Sequence, residues 1–336
     1  MDFAFLILLA VAALKLATPL LLAATGELVV EKSGVLNLGI EGMMLIGALT
    51  AFFVGAAVDV ESCQDYSDLL NMCLIGSNSL PLANYLVTVV VGGLAGAVLA
   101  ALFGMLVLVF RSNQVATGLG LTILGLTLTN SLSSGTGDLS VGQVQHYLPA
   151  SWTEAPVIGP FFTLDILVPF AFVMIFAVLF VLNRTRVGLI IRAVGENHDS
   201  AFTLGHNVQL VRFCCVLFGG CMAGVAGAYI SMIQIGAPTW REGITAGAGW
   251  LALALILFGT WRPMRVLAGA LLFGLALSLE IRLQVFSWLP GWVVSFLLPI
   301  LPYLIPIIVL TLISADATMI RRNAPASLGK SFTPSS

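Results

Sequence analysis

Hydrophobic positions fall into long runs separated by short polar stretches, the pattern of repeated membrane crossings. Runs at 3–24, 33–58, 82–110, 115–132, 165–182, 213–233, 244–260, 266–281 and 299–313 predict about nine transmembrane helices, with eight to ten as the range. In the first run Lys15 lies mid-span, and Thr18 with Pro19 predicts a kink. Glu27, Glu31 and Lys32 then mark an aqueous boundary.

The second run differs from a plain spanning helix. It holds Gly34, Gly39, Gly42 and Gly47 together with Asn37 and Glu41. Glycines beside polar side chains at membrane depth suit a broken or re-entrant helix that lines a path. Close packing through small residues, with Asn37 capping an inner helix, is the other reading. The lining reading is preferred because intramembrane carboxylates seldom face lipid. Asn37, Gly39, Glu41 and Gly42 are therefore candidate path residues. Gly92, Gly93 and Gly96 in the third run, and Gly219, Gly220, Gly224 and Gly227 in the sixth, predict close helix–helix contacts.

Composition sharpens this to an all-α polytopic membrane protein. Of 336 residues 59% are hydrophobic and 9% charged, against about 25% charged in a soluble domain. Mean hydropathy is +1.05. The start, MDFAFLILLA, lacks the basic n-region of a cleaved signal and is read as a membrane segment. No basic patch interleaved with aromatics points to nucleic acid.

Placement of charge orients the chain. With the N-terminus outside, Lys32, Arg111, Arg184, Arg186, Arg192, Arg212, Arg262, Arg265, Arg321, Arg322 and Lys330 all fall on the cytosolic side, while Arg241 and Arg282 fall outside. The C-terminus is then cytosolic. Two loops, 58–81 and 133–165, have no Lys or Arg and are read as outer loops. Cys63 and Cys73 lie in the first and suit either a disulfide or two free thiols. The domain reading is one transmembrane domain over 1–320, with 321–336 as a disordered cytosolic tail.

The most polar stretch inside the apolar chain is 184–212, RTRVGLIIRAVGENHDSAFTLGHNVQLVR. Asn197 or Asp199 can cap a short helix at its start, and Gly205 stands where a C′ residue ends one. Ala201, Phe202 and Leu204 between them form a small apolar face. A two-turn helix is marginal alone, so it packs on something: its own chain as a connecting loop, or a cytosolic partner as a docking helix.

The chain carries no H-E-x-x-H, G-x-S-x-G or P-loop pattern, so it offers no catalytic constellation, no metal-ligand spacing, no cofactor motif and no ATP site of its own. Energy for active transport would come from another subunit. Lys15 and Glu41 are the ionisable residues placed inside apolar runs, thin support for an ion-coupled carrier.

Three stretches bring a family into view. SGVLNLGIEGMMLIGA (33–48) resembles the first signature of ABC-importer permeases for nucleosides and related simple sugars, part of a wider class that serves ribose and branched-chain amino acids. RAVGENHDSAFTLGHNV (192–208) resembles their cytosolic coupling loop, and GITAGAGWLALALILFGTWRP (243–263) a third block, where a Gly-rich turn opens an inward helix. The resemblance covers most of 15–315. His198 stands where proline is usual, Ser200 replaces an alanine and His206 an apolar residue. Gly195, Asn197, Ala201 and Gly205 keep the pattern and, with Glu196, are the candidate coupling residues.

The resemblance implies a type II importer permease in a bacterial inner membrane. It would pair with a second permease, more readily a different chain than a copy. A cytosolic ATP-binding subunit would press on the 196–205 helix, and an extracytosolic binding protein would deliver a nucleoside or simple sugar. The competing reading is a secondary, ion-coupled transporter with a midplane site.

Overall fold

The structure, a computed structural model, describes residues 3–61, 82–134, 141, 159–234, 240–284, 290–300, 304, 308 and 323–332. Ten α-helices of six residues or more organise these residues. They are α1 (Phe3–Lys32), α2 (Ile40–Glu61), α3 (Leu82–Gly104), α4 (Gln114–Ser133), α5 (Leu167–Arg184), α6 (Arg186–Glu196), α7 (His198–Thr203), α8 (Val208–Tyr229), α9 (Ala248–Phe258) and α10 (Pro263–Leu283). Seven stretches among the described residues are long and apolar enough to cross a membrane: Phe5–Lys32, Ile40–Ala57, Leu82–Val109, Gln114–Ser133, Leu167–Arg184, Val208–Ile233 and Pro263–Leu283. The expected last crossing, 299–313, and the two cysteines Cys63 and Cys73 lie largely or wholly outside the described residues.

Helices α1 and α8 form the middle of the bundle. α8 packs on α1, α2 and α3, and α1 also meets α5, α9 and α10. With lipid as apolar as leucine, these contacts rest on close backbone approach rather than on hydrophobic burial. The predicted glycine faces supply it. A Cβ on Gly96 would come within 2.8 Å of Gly224 Cα, and one on Gly93 within 2.9 Å of Val225 Cγ2. Bulky side chains point the other way: Val90, Leu94 and Val98 of α3, and Val173, Phe176 and Phe180 of α5, are exposed.

Three expectations change. First, α1 does not stop at an aqueous boundary; it runs unbroken through Pro19 to Lys32, with Glu27 and Glu31 buried. Charge alone suggested a boundary, but both carboxylates have partners. Asn37 donates to Glu27 from its backbone N–H at 3.3 Å and from Nδ2 at 3.2 Å, while Trp261 Nε1 donates to Glu31 at 2.5 Å.

Second, the second run is helical only from Ile40, with 33–39 outside any helix, and a further break lies in the seventh run. α2 is continuous from Ile40, whereas the run at 244–260 contains an 11-residue helix, α9. At 1.5 Å per residue it spans about 16 Å, near half of a hydrocarbon core. The turn before it has Gly243, Ala246 and Gly247 at positive φ.

Third, residues 323–332 of the expected disordered tail are packed on the protein: Phe332 and Ser327 are buried, and Lys32 Nζ donates to Asn323 O at 3.0 Å. The apolar ring and the backbone donors of this segment find a surface that composition does not reveal.

One end of the bundle gathers the α1–α2 link, the start of α4, the end of α3 and the whole 184–212 stretch. Leu36 N–H donates to Gln114 Oε1 at 2.8 Å, and Gln209 Nε2 to Leu108 O at 3.4 Å. At the other end Tyr85 OH and Leu167 N–H each donate to Asp165 Oδ1 at 2.8 Å. Burial pushes the Asp165 carboxyl above its usual range, and those donors oppose the shift.

Candidate functional site

Two clusters, joined through the α1–α2 link, contain the residues singled out in the sequence. The first is built on the short helix α7. Asn197 adopts an extended backbone, and its Oδ1 accepts from Asp199 N–H at 3.1 Å and Ser200 N–H at 3.0 Å, so Asn197 is the N-cap. At the other end Gly205 has φ +87°. Its N–H donates to Phe202 O at 2.9 Å, and His206 N–H to Ala201 O at 3.2 Å. These are the paired bonds of a Schellman ending, which needs the left-handed residue that glycine supplies.

Helix α6 carries α7 back onto the bundle. Thr185 caps it by accepting from Gly188 N–H at 3.2 Å. Gly195, at its C-terminal end, lies against the backbone of Lys32 and Gly34, where a side chain has no room. Glu196 is exposed, but its carbonyl accepts from Ser327 Oγ at 3.2 Å.

The apolar face of α7 is divided. Ala201 is 1% exposed and packs inward with Val194, Val208 and Phe332. Phe202 is 40% and Leu204 75% exposed. The surface open to another molecule is thus Phe202 and Leu204, and Ala201 sits beneath it.

Arg212, one turn into α8, is fully buried and joins three segments. Nε donates to Ser33 O at 3.1 Å and Nη1 to Lys330 O at 3.0 Å, and Nη2 lies 3.5 Å from His198 Nδ1. Ser33 O belongs to the carbonyl end of α1, where the helix dipole favours a cation. His198 is held between this guanidinium and the Phe332 ring, whose centroid is 5.4 Å away. Burial, then Arg212, lowers its affinity for a proton.

The second cluster lies at the start of α2. Asn37 Oδ1 accepts from Gly39 N–H at 3.0 Å, while its amide binds Glu27. Gly39 and Gly42 press against α4; a Cβ on Gly42 would meet Leu121 O at 2.6 Å. Glu41, 7% exposed, accepts from Gly247 N–H at 3.0 Å, Gly249 N–H at 2.6 Å and the Thr245 hydroxyl. Its carboxylate caps α9 from a different helix, filling the role an N-cap side chain plays, and its charge complements the positive helix end. Asn37 bonds to α1 and within the α1–α2 link, and Glu41 holds the start of the half-helix.

Arg212, Glu27, Glu31, Thr245, Trp261 and Phe332 were not among the candidate residues. Glu27 and Glu31, four apart, share a helix face, and Phe332 is a lone aromatic in a polar stretch. Both signals were present but pointed to no partner. Among the described residues no group of three or more His, Cys, Asp or Glu can hold a metal. The three described cysteines, Cys214, Cys215 and Cys221, are free thiols.

The described residues form a multi-pass helical bundle with a half-crossing helix and a capped loop helix at one end. The model of the family described as branched-chain amino acid transport system / permease component matches residues 9–312, and the chain belongs to that family. It is the membrane permease subunit of an ABC importer. The chain is 38% identical to a putative glucose ABC transporter permease protein of Haloferax volcanii, over 82% of this chain and 78% of that one. It is 31% identical to a guanosine ABC transporter permease protein of Bacillus subtilis and 30% identical to a nucleoside ABC transporter permease protein of Lactococcus lactis, in both cases over 89% of this chain and 90% of the relative. Each of these organisms also holds a second permease named for the same solute, at 26%, 24% and 22% identity respectively. No solved structure matches the chain.

Proposed function

We propose that this permease forms part of the path for a nucleoside or simple sugar and is driven by a separate ATP-binding subunit that docks on α7. The observation that carries this reading is the capped helix itself: fixed at both ends, buried through Ala201, and presenting Phe202 and Leu204 outward. An exposed leucine and phenylalanine on a rigid two-turn element suit a protein partner. The end of the bundle that bears α7 is the cytosolic one on this reading, supported by the basic residues gathered there, which puts the N-terminus outside. Substrate would arrive from an extracytosolic binding protein at the opposite end.

The second permease is a different chain. Two permeases of unequal similarity in each of the three organisms support a pair of unlike halves, with this chain of the type represented by the more similar member. Names of the relatives support both solute classes, glucose for one and nucleosides for two.

The test is uptake in vesicles containing the assembled transporter. Radiolabelled nucleoside and glucose are offered with ATP inside, and separately with an ion gradient and no ATP. ATP-dependent uptake of either solute, abolished by Leu204→Asp, is expected. Uptake driven by the gradient alone would replace this reading with the ion-coupled carrier.

A further inference from the structure

Residues 323–332 are fastened at four levels along the cytosolic-loop cluster. Asn323 O takes the Lys32 ammonium at 3.0 Å. Ser327 N–H donates to Gly195 O at 2.9 Å, and its hydroxyl to Glu196 O, so both satisfy carbonyls left free at the end of α6. Gly329 N–H donates to Gly34 O at 3.2 Å, and Lys330 O accepts from Arg212. Phe332 closes the segment, buried on the inner side of α7 against Ala201 and Val194, with its ring 5.4 Å from His198 and 5.5 Å from Phe202.

The segment therefore touches α6, α7 and the α1–α2 link at once, while α7 makes little contact with the membrane helices except α8. From the link the chain of contacts continues. Ser33 and Gly34 lead to Asn37, Asn37 to Glu27 and the start of α2, and Glu41 of that helix to the cap of α9. A packed, hydrogen-bonded route connects the loop helix to the half-helix at membrane depth.

We infer that residues 323–332 act as a strap that positions the coupling helix, with Phe332 as its anchor and Arg212 as its fastening, so that a push on α7 reaches the α1–α2 link instead of being lost in local loop motion. The inference rests on the coupling role proposed for α7. On this reading Phe332 is a positioning residue. It does not face the ATP-binding subunit, and losing it slackens α7 without removing the docking surface.

The experiment uses the complete transporter, with its second permease, ATP-binding subunit and binding protein, in proteoliposomes. Three variants are compared with the native chain: Phe332→Ala, Phe332→Leu and removal of 323–336. Co-purified ATP-binding subunit, substrate-stimulated ATP hydrolysis and uptake are read from the same preparations. Phe332→Ala and the truncation are expected to keep the ATP-binding subunit and to hydrolyse ATP within about twofold of native, while uptake per ATP falls at least about fivefold. Phe332→Leu restores most of that ratio, because it refills the pocket among Val194, Ala201 and Val208. An unchanged uptake-to-ATP ratio in the truncated protein overturns the strap. So does a parallel fall of uptake, hydrolysis and bound ATP-binding subunit, which would make the segment part of the docking surface or of folding. Leu204→Asp in the same series separates the two ideas. If it keeps both its ATP-binding subunit and its uptake, the coupling reading itself fails; if it loses them while the strap variants behave as native, only the strap does.

Discussion

Glu41 shows how a membrane carboxylate can be a structural acceptor. It takes two backbone N–H groups and a hydroxyl at the start of α9. Removing it leaves those donors buried without partners, at about 1–3 kcal/mol each. Glu41→Ala is expected to lower the thermal midpoint in detergent by several degrees, and Glu41→Gln by less, since an amide oxygen still accepts. An unchanged midpoint for Glu41→Ala would contradict the capping role. Ala201 is a parallel case of position deciding effect. Its place under α7 means that Ala201→Glu forces a carboxylate among Val194, Val208 and Phe332. The expected result is greater protease sensitivity of both α7 and the 323–332 segment, unlike Leu204→Asp, which alters an exposed position. His198 adds a pH dependence. Its folded pKa lies below its ordinary value, about 6.5, so folding favours the neutral ring. Its contribution is complete above about pH 6.5 and is lost as pH falls through the lowered folded value. Native protein should therefore lose stability on acidification below about pH 6.5, and His198→Gln should flatten that part of the profile; identical profiles would refute it.

The sequence was informative at the level of elements wherever the physics is local. Asn197 and Gly205 delimit α7 because an Asn side chain and a glycine at positive φ act within one turn. The glycine faces of α3 and α8 were legible for the same reason, since four-residue spacing places them on one side of a helix. What was hidden depends on partners far along the chain. Glu31 reads as a water-facing charge until Trp261 is brought to it, and the break in the seventh apolar run reads as continuous helix until Glu41 is found capping it. Likewise the 323–332 segment docks through backbone atoms as well as the buried Phe332 ring, and composition does not record where those backbone donors and acceptors find partners. Helix ends follow the same logic in function: Gly205→Ala is expected to strain the Schellman ending by about 1 kcal/mol and cut ATP-driven uptake several-fold, with insertion of the spans unchanged. Native uptake from Gly205→Ala would show that the helix ending does not matter for coupling.

At the scale of the whole molecule, the bundle has two differently built ends linked by α1 and α8. One end holds the Tyr85–Asp165 contact, and the other gathers every element that meets α7. A machine that converts a push at one end into a change of access needs a rigid connection between its loop helix and its membrane-depth break. On the proposed coupling reading, Arg212, the α1–α2 link and the Glu41 cap would supply that connection. The central claim is that α7 is where an ATP-binding subunit makes contact. Its most direct test is a photo-crosslinking side chain placed at position 204 in the assembled, active transporter, with position 173 on the outer face of α5 as the control. The account predicts an adduct with the ATP-binding subunit from 204 and none from 173. A transporter that takes up solute on ATP yet yields no such adduct from 204 would contradict it.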